Sequence, residues 1–315
     1  MKELETYDLI IIGAGAAGLS AGTYAARSGL KALIIEEKLA GGTTADAPIV
    51  ENYPGFAQIS GAELAERLTS HSKKTGVTIR ELEAVTGLNL QGEKKTVTTT
   101  RTTYEATAII IATGAHYREI GAKGEKEFRG KGVSYCGVCD GPLFKGKNVM
   151  VIGGGNSAAI TTLYLSGLAA NVIVVHRKQA FRCEEAYIKD IQTKPNVQVI
   201  WNGEIKEIKG DKVVNSVQIF DNKTGETREV PTNAVFVQIG EAPNSQTAKE
   251  SGVEVDEHGF IKTDLYQQTN IPGVYAAGDV TTHPVKQVGT AVGQGITAAL
   301  EAYGYIRRPY YRGQR

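Results

Sequence analysis

An α/β fold of two similarly built domains, one nested in the other, is predicted by three features of the sequence. Two glycine-rich turns, Gly13-Ala14-Gly15-Ala16-Ala17-Gly18 and Gly153-Gly154-Gly155-Asn156-Ser157-Ala158, stand about 140 residues apart, each between a β-branched apolar run and a helical stretch. Each copy later carries a segment of alternating polarity that returns to one more apolar strand. The last 70 or so residues contain strand and helix patterns but no third glycine turn. Short buried runs alternating with helices mark parallel strands in β-α-β units, and a repeat of the whole plan means two domains of one architecture. The expected fold is therefore a pair of Rossmann-like, three-layer ββα dinucleotide-binding domains, the second inserted into the first.

The first copy opens on the apolar run 7–12, turns through Gly13–Gly18, and continues as a helix to Ser28 with Gly29 as its C-cap. A second apolar run, 33–35, ends at Glu36. Residues 78–106 alternate between turn signals and read as a three-stranded antiparallel meander, followed by the strand 108–112 ending at Thr113-Gly114. The second copy repeats the order: 149–152, the glycine turn, a helix to about Ala169, then 172–175 ending at His176-Arg177. Residues 197–229 read as its meander, with a hairpin turn at Asn222-Lys223-Thr224-Gly225, and 234–239 as its return strand. After Asn244 a short strand region leads to Val274-Tyr275-Ala276-Ala277-Gly278-Asp279 and a final helix from about Thr290. That tail is expected to complete the first domain. The first domain thus takes 1–117 and 245–315, the second 118–244, with crossings near 115–118 and 244–248.

Composition bounds the function. With 315 residues, 41% apolar and 22% charged, the chain can bury two cores. Its 35 basic and 34 acidic residues cancel to +1, which gives no global footprint for nucleic acid or an anionic membrane. Apolar runs such as 9–12 and 108–112 are far too short to span a bilayer, and 1–8 is too acidic for a secretory leader, so a cytoplasmic protein is expected.

In a G-x-G-x-x-G turn the first glycine permits the bend, the second lets backbone N–H groups approach a pyrophosphate at the helix N-terminus, and the third allows close packing. Gly13, Gly15 and the helix start Ala16-Ala17 fit that role, and Glu36, 18 residues beyond Gly18 at a strand end, can accept hydrogen bonds from ribose hydroxyls. In the second copy Gly153, Gly155, Asn156 and Ser157 hold the corresponding places. No acid follows there. Arg177, Lys178 and Arg182 do, and three cations at a ribose position suit a 2′-phosphate, which points to NADPH over NADH. The alternative is a solvated loop neutralised by Glu184 and Glu185.

Three cysteines in a chain of this length are no structural disulfide framework, but two are spaced as Cys136-Gly137-Val138-Cys139, just 17 residues ahead of Gly153. A zinc site would need two further ligands, and neither a second C-x-x-C nor an H-x3-5-H pair is present, so no metal is expected. The spacing suits a reversible disulfide near a helix N-terminus, which lowers a thiol's pKa. Asp140 follows directly, positioned to act as general acid or base for the departing thiol or a reduced flavin. Cys183 has no partner at redox spacing and reads as an inert thiol.

Over nearly its whole length the sequence resembles the bacterial and archaeal thioredoxin reductase family. Carried onto this chain, the family's FAD-binding elements correspond to Gly13-Ala14-Gly15, Glu36, Gly41-Gly42-Thr43, the segment from Val50 through Asn52 to Gly55, Ala112-Thr113-Gly114, Gly278-Asp279-Val280 and Lys286-Gln287-Val288. Thr43 replaces the usual Gln, Lys286-Gln287-Val288 the usual Arg-Gln-Ala, and Lys178 the second phosphate-binding Arg; with Ala45-Asp46-Ala47-Pro48 these departures resemble archaeal members. The resemblance implies hydride transfer from NADPH to FAD, reduction of a Cys136–Cys139 disulfide, and exchange with thioredoxin or a thioredoxin- or glutaredoxin-like protein. It further implies a homodimer and Cys139 as the sulfur nearer the flavin; because dithiol and nicotinamide sites share one domain and must reach the same flavin, the domains are expected to rotate about the crossings. Two alternatives stand beside it: the same reductase fed by reduced deazaflavin or ferredoxin, and a non-catalytic redox-sensing flavoprotein.

Overall fold

The computed structural model describes residues 5–47 and 49–307; Pro48 and the outer ends of the expected first domain, 1–4 and 308–315, lie outside the described residues. The chain forms two units, one made of the residues through His116 with those from Ala242 onward, the other Tyr117–Glu241.

The first unit begins with β1 (Glu5–Ile12), α1 (Ala16–Arg27), β2 (Ala32–Ile35), a 3₁₀ turn at Gly42–Asp46, α2 (Gly61–Lys74) and β3 (Thr78–Arg80). It continues through β4 (Val85–Asn89), β5 (Lys95–Thr99), β6 (Thr103–Ile111) and β7 (Ala115–Tyr117), where the chain crosses out. The sheet order is β3-β2-β1-β6-β5-β4, parallel from β3 to β6 and antiparallel beyond. Period-two alternation divides its residues between two cores. Leu9 and Ile11 face the layer that holds Leu19 of α1, while Ile10 and Ile12 face the layer of Val97 and Tyr104.

The second unit adds β8 (Val133–Ser134), α3 (Gly137–Asp140), a 3₁₀ turn at Gly141–Phe144, β9 (Asn148–Ile152), α4 (Asn156–Ser166), β10 (Asn171–His176), α5 (Glu185–Gln192) and β11 (Val197–Trp201). Then come β12 (Gly203–Gly210), β13 (Val214–Asp221), β14 (Thr227–Pro231), β15 (Ala234–Val237) and β16 (Glu241–Pro243), which crosses back. A parallel sheet β11-β10-β9-β15-β8 carries α4 on one face, through Val151, Val174 and Leu165, and the antiparallel sheet β12-β13-β14 on the other, through Ile152, Val217 and Val235. The turn expected at Asn222–Gly225 joins β13 to β14, its Asp221 Oδ1 accepting the N–H of Lys223 at 2.9 Å and of Thr224 at 3.0 Å. The first unit closes with α6 (Gln246–Glu250), β17 (Val274–Ala276), which pairs in parallel with β6, and α7 (Val288–Arg307). These are two Rossmann-type folds. No helix among the described residues is long and apolar enough to cross a membrane.

Four sequence readings need correction. Residues 78–80 and 197–201, read as first strands of the meanders, are β3 and β11, the edge strands of the two parallel sheets. An edge strand is half solvated and alternates in polarity as a meander strand does, which is why the pattern misleads. In the first unit the meander's third strand and the run 108–112 are one continuous strand, β6, whose first half pairs with β5 and whose whole length pairs with β1. The segment after Asn244 holds the short helix α6 and isolated bridges such as Val255↔Ile261 before β17. The last helix starts at Val288, two residues ahead of Thr290, so Val288 belongs to its first turn.

Candidate functional site

In the first unit the glycine turn is set at the point where β1 has β2 on one side and β6 on the other, the crevice where parallel sheets bind ligands. Gly13 has φ +104°, and a Cβ there would stand 2.3 Å from the Ala112 carbonyl oxygen, so only glycine fits between the ends of β1 and β6. Gly15 caps α1, and above it a Cβ would meet nothing nearer than the Gly42 Cα at 3.9 Å. Gly42, with Thr43 exposed beside it, packs close over the first turn of α1: a Cβ on it would stand 2.8 Å from the Gly15 Cα. Glu36 accepts the Ala14 N–H at 2.7 Å and the Lys38 N–H at 2.9 Å, which fixes its carboxylate at the edge of the turn.

The chain's tail returns to the same place. The Gly278 N–H donates to Gln294 Oε1 at 2.6 Å, and a Cβ on Gly278 would lie 3.0 Å from that of Ala17, so Ala16-Ala17 and Gly278-Asp279 meet. Burial pushes the Asp279 carboxyl above the usual range, and the Lys286 ammonium offsets part of this. Lys286 donates to the Asp279 carbonyl at 3.0 Å and to the Thr281 carbonyl, and its ammonium sits 4.3 Å from the centre of the Phe260 ring. Asn52 Nδ2 donates to Gln287 Oε1 at 3.1 Å, which joins two candidate residues far apart in sequence. Thr113 and Gly114 are tied to the crossing: Thr113 Oγ1 donates to the Asn244 carbonyl at 2.6 Å, and the Asn244 N–H to the Gly114 carbonyl at 3.0 Å.

In the second unit Gly153 has φ +145°, and a Cβ there would lie 2.2 Å from the Gln238 carbonyl oxygen. Gly155 caps α4, with open space where its Cβ would be, and Ser157 is exposed in the first turn. The ring of His176 lies directly under Gly154, 2.4 to 2.5 Å from where a Cβ would project. Burial lowers the pKa of this imidazole, a hydrogen bond to the Ala180 backbone offsets part of that, and Arg182, Arg177 and Lys178 add to the lowering; its Nε2 has no hydrogen-bond partner among the described residues. Beside it Arg177, Lys178 and Arg182 are exposed, and none is within ion-pair distance of an acid among the described residues. Glu184 stands outside ion-pair distance of all three. It is engaged by Asn156, whose Nδ2 donates to its carboxylate at 2.9 Å and whose Oδ1 accepts its N–H at 3.0 Å.

Cys136 and Cys139 are joined as a disulfide, with Cα atoms 5.3 Å apart. Cys136 caps α3, its sulfur accepting the Cys139 N–H at 3.2 Å. α3 is pressed onto α4, since a Cβ on Gly137 would stand 2.5 Å from the Thr161 methyl. Asp140 is largely buried, and desolvation raises its pKa although the Ser134 hydroxyl donates to it at 2.7 Å. Tyr135 is anchored at both ends: its hydroxyl donates to the buried Glu125 at 2.9 Å, and its carbonyl accepts from Gln238 Nε2 at 2.9 Å. Burial and that hydrogen bond keep the Tyr135 phenol protonated. Gln238 therefore buttresses the glycine turn with its backbone and the cysteine segment with its side chain. Cys183 is a buried free thiol whose pKa burial pushes up.

Sequence reasoning passes over Ser134, Tyr135, Gln238, Glu125 and Gln294, because a single Ser, Tyr or Gln, or one Glu within a charged run, carries no spacing signal. His176 stands next to the cations in the sequence but belongs to no motif of its own.

Residues 7–295 match the pyridine nucleotide-disulphide oxidoreductase family. The thioredoxin reductase of Treponema pallidum is 42% identical over 301 residues, 95% of this chain and 97% of that one. Among solved structures, thioredoxin reductase from Streptococcus pyogenes superposes with a TM-score of 0.92 at 38% identity, covering 96% of this chain and 99% of the other. A ferredoxin-flavin thioredoxin reductase from Clostridium acetobutylicum matches with a TM-score of 0.53 at 34% identity, again over 96% and 99%. With two glycine turns, a C-x-x-C disulfide and likeness along almost all its length, the chain belongs to the pyridine nucleotide-disulphide oxidoreductases, as a disulfide reductase of the low-molecular-weight thioredoxin reductase type.

Proposed function

We propose that the chain reduces the disulfide of thioredoxin, or of a thioredoxin- or glutaredoxin-like protein, with electrons from NADPH carried through FAD. The observation that supports this most is the joining, within one unit, of the Cys136–Cys139 disulfide and a glycine turn flanked by three cations outside any ion pair among the described residues. The residues present fit both cofactors. In the first unit the close approach of Gly42 to the Gly15 cap, the fixed Glu36 carboxylate and the Gly278-Asp279 turn suit a flavin dinucleotide at the N-terminus of α1. Asn52, Ala112, Thr113, Gly114, Lys286, Gln287 and Val288 border the same crevice in this reading. In the second unit Gly153, Gly155, Asn156 and Ser157 take the nicotinamide dinucleotide, and Arg177, Lys178 and Arg182 its 2′-phosphate.

Bound FAD supplies a two-electron carrier between the nicotinamide and the disulfide. The protein's own part is thiol chemistry. Once reduced, one of the two cysteines, as thiolate, attacks a sulfur of the partner's disulfide and releases the first partner thiol. The other cysteine then attacks the mixed disulfide, which restores the Cys136–Cys139 bond and frees the second. Asp140, kept protonated to a higher pH by burial, supplies a proton to the sulfur that does not remain a thiolate.

The likeness to a ferredoxin-flavin enzyme supports one rival, the same reductase with another donor. Anaerobic stopped-flow bleaching of the flavin separates the two: NADPH should bleach it faster than NADH, and reduced ferredoxin or deazaflavin should have no advantage. Bleaching by ferredoxin or deazaflavin alone would replace NADPH in this proposal.

A further inference from the structure

Ser134 touches both the acid and the disulfide-bearing segment. Its Oγ lies 2.7 Å from Asp140 Oδ2, accepts the Cys136 N–H at 3.1 Å, and stands 3.2 Å from the Cys136 carbonyl oxygen. The residue is 5% exposed and is held in β8, whose backbone pairs with Phe236 of β15.

A hydroxyl has one proton and two lone pairs. The Cys136 amide occupies one lone pair. The remaining proton and lone pair face two neighbours, the Asp140 carboxyl and the Cys136 carbonyl. When Asp140 is ionised, the Ser134 proton points at Oδ2. When Asp140 is protonated, its own O–H donates to the free lone pair of Ser134, and the serine proton turns to the Cys136 carbonyl. The carboxyl and the hydroxyl are paired in both states. A half-buried carboxyl that must exchange a proton would otherwise be left unpaired in one of them, at a cost that partial desolvation raises.

We infer that Ser134 is a positioning residue for Asp140, a rotating hydroxyl that pairs it before and after it gives up its proton to the dithiol. This rests on the reading of Cys136–Cys139 as the reductase's working disulfide. Two electrons, delivered by the reduced flavin, break the S–S bond and leave one sulfur as thiolate and one as thiol. The thiol's proton comes from Asp140, which becomes a carboxylate and takes the Ser134 proton as a hydrogen bond. When the partner's disulfide is reduced, the sulfurs lose two electrons and that proton, Asp140 is protonated again, and the hydroxyl turns back.

The test uses the FAD-loaded protein with Ser134→Ala, Ser134→Thr, Asp140→Asn, and Ser134→Ala combined with Asp140→Asn, with FAD content and Tm as fold checks. Two readouts are taken against pH: turnover with oxidised thioredoxin, and the rate at which iodoacetamide alkylates the dithiothreitol-reduced protein, which needs no NADPH. Ser134→Ala should lower turnover about tenfold, the loss of one hydrogen bond to a charged group. The alkaline limb of its turnover should move to higher pH, because Asp140 without its donor holds its proton more tightly. Alkylation should move to higher pH as well, since a carboxylate stripped of its donor opposes a thiolate more strongly. Ser134→Thr should restore both profiles, and Ser134→Ala should add nothing on top of Asp140→Asn. A Ser134→Ala protein with the parent's rate and profiles overturns the inference. So does a Ser134→Thr protein that fails to restore them, or a Ser134→Ala effect that persists in the double variant. Were Ser134→Ala to lose its FAD, the profiles of Ser134→Thr alone would decide. Failure of the unaltered protein to reduce thioredoxin overturns the underlying reading instead, and is told apart by that control.

Discussion

Arg177, Lys178 and Arg182 reach water with no acid at ion-pair distance among the described residues, while their neighbour Glu184 is engaged by Asn156. Exposed like charges outside any ion pair repel one another, and a phosphate dianion relieves that repulsion best. Arg offers a planar fork to phosphate where Lys offers a point charge, so the two arginines should dominate over Lys178. Arg177→Ala or Arg182→Ala should raise the KM for NADPH by about 10- to 100-fold, the value of one charge-assisted hydrogen bond, with kcat and the KM for NADH little changed. Steady-state kinetics with both nucleotides checks this. Equal losses for NADPH and NADH would mean that the cations do not read the 2′-phosphate.

The glycine turns, the strands before them and the helices after them are legible in sequence because each is a local pattern of type and spacing. α2 escapes that reading although its start carries a signal, Ser60 three residues ahead of Glu63, and the Ser60 hydroxyl does accept the Glu63 N–H at 3.1 Å. The edge strands β3 and β11 are misread because half-solvated parallel strands and meander strands look alike. Of the candidate site, the cysteines, glycines and cations can be read directly. What ties them together cannot: Gln238 meets Tyr135 across 103 residues of sequence, and Ser134 meets Asp140 only because α3 turns the chain back. At the end of β10 the buried, neutral His176 adds a pH dependence. Burial lowers its proton affinity below that of the unfolded chain, so its share is intact above the unfolded pKa of roughly 6.5 and is lost as pH falls from there through the lower folded-state pKa. Thermal melts of the parent protein should thus lose stability from pH 7 to pH 5 more steeply than those of His176→Gln; parallel curves would contradict a buried neutral imidazole.

At the level of the whole chain, one domain interrupts another through two crossings, β7 and β16, that pair as a two-stranded sheet. On the first unit's side the ends are already clipped together by Thr113, Gly114 and Asn244, and His116 Nδ1 lies 2.8 Å from Asn244 Oδ1. Replacing Tyr117–Glu241 with a short glycine-serine loop should therefore give a folded protein that binds FAD, seen in its visible absorption, yet cannot use NADPH or reduce thioredoxin. A shortened chain that cannot bind FAD would show that the flavin site needs the inserted unit. The proposed function needs both units: electrons from NADPH would come to rest on Cys136 and Cys139. Anaerobic titration with NADPH, followed in the flavin absorption, tests it most directly. A protein with a flavin and a working disulfide should consume about two equivalents per chain, and Cys136→Ser about one, since each is a two-electron couple. One equivalent for both proteins, or none, would contradict the account.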